Sequence, residues 1–299
     1  MWIYFPCLEK LEIEMCKGMY DLKICCPNLK DIRVFGMSLK SIDISGMRLE
    51  DVRVSFCFVN CIDGSGVEIF APNLKSFAWV GNGITDKSSI QSLPVLKRSE
   101  FLWPHITTKK ISNNSVIDLF SSSSQVEELT IAFDFLQILS EIYFELGGLP
   151  FSFMKLKTLD IYLDERYFPA RGIACLFKSP VVHRLRIHLF VDSYEENYDE
   201  WTDLDYANCT EKQYCETRGQ YLSPFLSHLK VVDINLGTMI PENAVTFAKF
   251  FLKYVGGLQK VNLRYFQCNL PPNLLKDIIA LMEGLPRASA DVEISISCY

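Results

Sequence analysis

Leu29-Lys-Asp-Ile32-Arg-Val34 sets out in six residues a pattern that runs from Leu8 to Val54. Leu8-Glu-Lys-Leu11-Glu-Ile13 precedes it, and Leu39-Lys-Ser-Ile42-Asp-Ile44 and Leu49-Glu-Asp-Val52-Arg-Val54 follow it. Each copy has aliphatic residues at its first, fourth and sixth positions and polar residues between them. The last two aliphatics alternate with polar side chains, the period-two signature of a strand with one buried and one wet face. One such unit cannot bury its apolar face alone. The copies therefore stack side by side and share an elongated core.

The phrase starts at Leu8, Leu29, Leu49 and Leu74, in steps of 21, 20 and 25 residues. Met19-Tyr-Asp-Leu22-Lys-Ile24 and the Leu39 copy fall halfway between these starts, so the sub-period is about ten. That spacing predicts a strand on each side of every coil, with turns at 26–28, 35–37 and 45–47 and no room for a helix. Further copies start at Leu96 (irregular), Val126, Leu156, Val182, Leu229 and Leu258, in steps of 22, 30, 30, 26, 47 and 29. Such steps accommodate a strand plus a helix, and helical patterns fill 116–120, 136–146, 242–254 and 273–282. In the third of these, Val245, Ala248, Phe251, Leu252 and Val255 recur at core-facing spacing, with Pro241 before them and Gly256-Gly257 after. Val292, Ile294 and Ile296 alternate with polar residues and predict a final, edge strand. The class is α/β: a leucine-rich-repeat solenoid, a right-handed β-α superhelix with strand-rich N-terminal coils and strand-plus-helix C-terminal coils.

Composition narrows the function classes. The 299 residues are 49% hydrophobic and 22% charged, which describes a folded chain, and the net charge of -6 argues against a nucleic-acid-binding surface. No basic cluster stands out along the sequence. The 11 cysteines are odd in number, form no Cys-x-x-Cys pair and follow no secretory signal. Reduced, mostly buried thiols in a cytoplasmic or nuclear protein are expected. No apolar run approaches the length of a membrane helix. Residues 1–7 run straight into the first repeat, so either they act as a makeshift cap or a preceding domain is missing.

Residues 192–216 depart from the pattern, with nine carboxylates against the single Lys212 and no repeat phrase. This is a surface insertion. It reads either as a solvated loop or as a partner-docking loop, because Tyr194, Tyr198, Trp201 and Tyr206 interleave aromatic anchors with the acids.

Catalytic chemistry finds little support. His183 and His188 flank a repeat strand and read as ordinary surface residues, with no glycine-bounded nucleophile beside them. Cys57 and Cys61 could supply two metal ligands, but a structural zinc site needs four. No phosphate-cradling glycine loop is present. The expectation is a non-enzymatic chain with no cofactor and no metal. Binding is the better candidate, and strand geometry says where. If the aliphatics point inward, their neighbours form outward rows: Asp31, Arg33 and Phe35; Asp51, Arg53 and Ser55; Thr158, Asp160 and Tyr162; Arg184, Arg186 and His188; Lys260, Asn262 and Arg264. Arg33 and Arg53 are placed to align, with Asp31 and Asp51 neutralising them, either as a self-satisfied charge ladder or as a recognition patch. The row Arg184, Arg186, His188 has no acid of its own, which marks it as a contact for an acidic partner or for the acidic insertion that follows it.

Cys-Pro-Asn-Leu-Lys-Asp-Ile-Arg-Val (26–34), Ala-Pro-Asn-Leu-Lys-Ser-Phe (71–77), Leu226-Ser-His-Leu-Lys-Val-Val-Asp-Ile, the helix ending Phe250-Phe-Leu-Lys-Tyr, Leu258-Gln-Lys-Val-Asn-Leu263 and Pro286-Arg-Ala-Ser together resemble the plant F-box/leucine-rich-repeat proteins of the FBD type. The resemblance spans essentially the whole chain. It implies solenoid repeats over 1–225 and FBD-like repeats over 226–299 that continue the same solenoid. It also implies the substrate-recruiting part of an F-box adaptor of a cullin ubiquitin ligase, with an unidentified protein ligand. Strand geometry and the aromatics of the insertion, rather than the resemblance, mark Arg33, Arg53, Arg184, Arg186, His188, Tyr198, Trp201 and Arg264 as the residues expected to bind it. Family members carry an F-box before the repeats that docks on a Skp-type adaptor, and nothing in this chain matches it. That adaptor is therefore a partner only of a longer form. The alternatives are a recognition surface gated by a small molecule, as in some F-box solenoids, or an interaction scaffold without a ubiquitin role.

Overall fold

The computed structural model describes residues 1–59, 63–90, 93–103, 112–164, 170–177, 181–190, 222–236, 241–265, 284, 287–289 and 291–298. They divide into two compact units, Met1–Leu156 and Lys157–Tyr299.

In the first unit the ten-residue sub-period becomes two parallel sheets. Strands β2 (Lys10–Glu14), β4 (Asp31–Phe35), β6 (Asp51–Ser55), β8 (Ser76–Val80), β10 (Arg98–Leu102) and β11 (Glu128–Ala132) succeed one another in one sheet. Strands β1 (Trp2–Ile3), β3 (Asp21–Cys25), β5 (Ser41–Ser45), β7 (Gly66–Phe70) and β9 (Lys87–Ile90) form the other. Parallel neighbours require a long crossover, and here the crossover is a strand of the opposite sheet. The strand on each side of every coil is thus present. The sequence reading assigned no strands at β7 and β9, which lack the opening leucine of the phrase.

Pairing keeps the phrase in step: Ile32 lies beside Leu11 and Val52, and Val34 beside Ile13 and Val54. Ile32, Val34, Val52 and Val54 are buried, as are Leu22, Ile24, Ile42 and Ile44 from the opposite sheet. Burying such a side chain contributes about 1.5–3 kcal/mol, and each coil supplies several. The polar second position has a backbone task. The carbonyl of Glu9 accepts from the N–H groups of Lys30 and Asp31, that of Lys30 from Glu50 and Asp51, and that of Glu50 from Lys75 and Ser76. The Pro-Asn-Leu turn ties coils together as well. Asn28 Nδ2 donates to the Pro6 carbonyl and Asn73 Nδ2 to the Met47 carbonyl, both at 2.7 Å, while Leu29 and Leu74 are fully buried.

Past the end of each strand from β2 to β10 in the larger sheet, the chain takes one left-handed residue: Met15 (φ 50°), Gly36 (65°), Phe56 (53°), Gly81 (63°) and Trp103 (47°). The first four donate their N–H groups to Phe35, Ser55, Val80 and Leu102 of the next coil, closing the stack along this rim. Bulky residues and glycines alternate for a spatial reason. A Cβ at Gly36 would lie 3.2 Å from Met15 Cγ, and one at Gly81 would lie 2.3 Å from the Phe56 ring. Phe56 also meets Phe35 edge to face at 5.7 Å.

From 113 onward helices appear in the connections between strands. Helix α1 (Asn113–Ser121) packs beside β9 and buries Val116, Leu119 and Phe120, and α2 (Phe133–Leu146) buries Phe135, Leu136, Leu139 and Ile142. Aromatics fill the transition, with Phe58 stacked on Trp79 at 5.2 Å and Phe101 against Phe120 at 4.2 Å. Helix α2 stops at Gly147, whose left-handed φ of 72° suits a glycine C-cap. The helical patterns at 116–120 and 136–146 lie inside these two helices.

The second unit stacks β12 (Thr158–Asp164), β13 (Arg184–Phe190), β14 (Val231–Leu236), β15 (Lys260–Tyr265) and β16 (Glu293–Cys298) as consecutive parallel neighbours. Helices α3 (Ala170–Leu176) and α4 (Pro241–Tyr254) lie in the connections. In α4, Ala248, Phe251 and Leu252 are buried, as is Val255 just beyond it, matching the core-facing spacing. Strand β16 ends the sheet, as the alternation of Val292, Ile294 and Ile296 predicts. Helix α3 is absent from the sequence reading. The helix expected at 273–282 and the insertion at 192–216 lie outside the described residues.

Five of the thiols have described surroundings. Cys26 and Cys57 are buried and Cys16 and Cys25 half-buried, while Cys7 is exposed; all five are free. Cys7 and Cys16 flank β2, the outermost strand of its sheet, and Cys25 sits on the outward register of β3, so neither environment encloses them. Among the described residues no helix is long and apolar enough to cross a membrane, and no group of His, Cys, Asp or Glu is arranged to hold a metal.

Candidate functional site

The outward sheet face of the second unit carries its densest polar array. Leu185, Ile187, Val232, Ile234, Val261 and Leu263 point into the core, so their strand neighbours form rows on the opposite face. One row in register runs Asp160, Arg186, Asp233, Asn262, Ser295, and the next runs Tyr162, His188, Asn235, Arg264, Ser297.

Asp233 is the hub. It is 0% exposed, and several donors cover its two oxygens. Arg184 Nε donates to Oδ2 at 2.8 Å and Asn262 Nδ2 to Oδ1 at 2.6 Å. Arg186 Nε lies 3.8 Å from Oδ2 and Arg264 Nη2 lies 3.6 Å from Oδ1. A buried carboxylate costs several kcal/mol unless it is paired and hydrogen-bonded, and here both conditions are met. Arg186 Nη1 also grips Asp160 at 3.0 and 3.3 Å, and Ser295 Oγ donates to Asn262 Oδ1. The row is a ladder of hydrogen bonds joined by one ion pair, Arg186 with Asp233 at 3.8 Å, and it holds the guanidinium groups in place.

The second row begins with a flat aromatic pair. Tyr162 and His188 stack with centroids 4.2 Å apart and planes 3° apart, and the Asn235 amide meets His188 Nδ1 at 3.2 Å. Burial, reinforced by Arg186 and opposed by Asp233, pushes the imidazole down to about 4. His188 is therefore a neutral, packed group rather than the ordinary surface residue expected of it. Burial on one side of a stacked pair could not be read from a strand position alone.

The row Arg184, Arg186, His188 has no acid on its own strand. Its acids come from the neighbouring strands: Asp160 of β12 and Asp233 of β14. Arg264, 78 residues beyond Arg186 in sequence, joins the same cluster. Asp233 and Asn235 were missed because the sequence reading set out no outward row for β14. The alternation in Val231-Val-Asp-Ile-Asn-Leu236 was the available signal.

In the first unit Arg33 and Arg53 lie side by side in register. Arg33 Nε approaches Asp31 Oδ1 at 3.6 Å, as a charge ladder requires. Arg53 instead reaches past Ala78 to Glu100 at 2.5 Å, and the small side chain between the two makes that reach possible. Tyr198 and Trp201 lie outside the described residues.

Stacked parallel strands with outward polar rows and an inward aliphatic ladder define a leucine-rich-repeat protein. Comparison with known proteins carries the assignment further. The chain is 30% identical over 300 aligned residues, 97% of its length, to an Arabidopsis thaliana protein named as an F-box/FBD/LRR-repeat protein. It is a leucine-rich-repeat protein related to that plant FBD type, and it spans 59% of the length of that relative. No family model matches the chain, and no solved structure matches it.

Proposed function

We propose that this chain is a protein-recruiting module that holds its partner on the outward faces of its strands and serves as the substrate-capturing part of an F-box adaptor of a cullin-type ubiquitin ligase. The observation that carries the binding role is the polar face of β12 to β16, where buried Asp233 fixes three arginines that leave part of their surface open: Arg184, Arg186 and Arg264 have side-chain exposures of 40, 32 and 43%. Fixed donors at an open face lose little entropy on binding, which favours recognition. The ligase role comes from the relative named for an F-box, and docking on a Skp-type adaptor belongs to a form that carries one. The proposed compartment is cytoplasm or nucleus, in keeping with free thiols.

The test expresses the tagged 299-residue chain in plant cells and identifies the proteins that it enriches. The chain fused to an F-box is then expressed, and the half-life of each captured protein is followed. Shortened, proteasome-dependent half-lives support the full reading. Capture with unchanged turnover removes the ligase role and leaves the binding role, and no specific capture removes both.

A further inference from the structure

We propose that the face of β13 to β15 is an anion-binding site for an acidic segment of a protein partner, with Arg184 and Arg264 gripping a carboxylate or phosphate group. The inference rests on the reading of this face as the partner-binding surface and names the chemistry that it recognises. Charge comes first. Among the described residues, Arg184, Arg186 and Arg264 meet two carboxylates, Asp160 and Asp233, which leaves one positive charge over. Neutral His188 adds none. The Lys260–Glu293 pair on β15 and β16, at 2.7 Å, is balanced within itself.

Donor capacity comes second. Arg184 spends its Nε on Asp233, and Arg264 makes only a 3.6 Å ion pair. Among the described residues, the terminal nitrogens of Arg184 make no hydrogen bond, and neither does the Arg264 guanidinium. A guanidinium offers five N–H donors in a planar fork matched to paired oxygens. Both side chains are more than a third exposed and therefore within reach of an incoming group. Preorganisation comes third. Buried Asp233 anchors both arginines from beneath, and the stacked Tyr162 and His188 wall one side of the site, so a bound anion orders little that is not already ordered.

The test pans a random decapeptide display library against the full 299-residue chain and against an Arg184→Gln/Arg264→Gln variant. Bound peptides should be enriched in Asp and Glu over the input. Synthetic copies of them should lose affinity roughly tenfold when the acids become Asn and Gln, and by a similar factor on the variant. Copies with phosphoserine in place of the acids then report which anion is preferred. Since both arginines also support Asp233, the single variant Arg264→Gln, which removes only the 3.6 Å ion pair and should melt close to the parent, is run beside it and should show a partial loss. Bound peptides no more acidic than the input, no bound peptides at all, or affinity unchanged in both variants would overturn the site. The recruiting role stands or falls separately, on capture in cells.

Discussion

At the scale of single residues, the left-handed rim of the first unit sets the tightest constraint. Gly81 has φ 63° and lies under the Phe56 ring, so Gly81→Ala adds both a strained backbone and a Cβ placed 2.3 Å from an aromatic carbon. It should destabilise the protein by about 2–4 kcal/mol in urea denaturation. Gly147→Ala, at φ 72° with no atom within 4 Å, carries the strain alone and should cost about 1 kcal/mol. His188 makes a prediction about pH. The folded protein holds the imidazole at about 4 against an ordinary value of 6.5, so between those values the unfolded chain binds more protons than the folded one. Its contribution is complete above pH 6.5 and is lost as pH falls toward 4. Replacing His188 with Gln should flatten the fall in stability over that window, and the His188 ring resonances in the parent should not titrate until well below neutrality.

At the scale of elements, what could be read in the chain depended on how closely the copies follow one another. Where the phrase recurs about every twenty residues, each strand, its inward aliphatics and its alternation between two sheets follow from side-chain periodicity. Strands β7 and β9 escaped because Gly66-Val-Glu-Ile-Phe70 and Lys87-Ser-Ser-Ile90 lack the leucine that opens a copy, and α3 is only seven residues long. The outward placement of Arg184, Arg186 and Arg264 was legible, since alternation alone decides it. Their convergence on Asp233 was not, because 47 residues separate Arg186 from its cross-strand neighbour and no local pattern carries a register that far. Loops between elements also hold the coils. Asn82, fully buried, accepts from the N–H groups of Cys57 and Phe58 at 2.7 and 3.0 Å and donates to the Val54 carbonyl at 2.8 Å. Asn82→Ala strands two buried donors and an acceptor and should cost about 2–4 kcal/mol, measured as a lower urea midpoint with little change in slope.

For the molecule as a whole, bulk properties proved poor guides to local ones. A net charge of -6 gives no hint that three arginines gather on one sheet face, because the fold and not the composition brings them together. Global opening can be followed through a buried thiol. Burial pushes the Cys57 thiol up to about 11, whereas Cys7 is exposed, so an aromatic disulfide reagent should label Cys7 at once and Cys57 only as the first unit unfolds. Labelling of Cys57 in the native protein at the rate of Cys7 would contradict that burial. The alternation of Met15, Gly36, Phe56, Gly81 and Trp103 also bears on ancestry. Loss of the Gly81 coil alone would bring Phe56 onto Trp103, where no side chain fits beneath the ring, whereas loss or duplication of an adjacent pair keeps large over small. Within this stretch, removing or duplicating an adjacent pair of turns keeps the order, while removing the Gly81 turn alone calls for a second change, of Phe56 or Trp103 to a small residue.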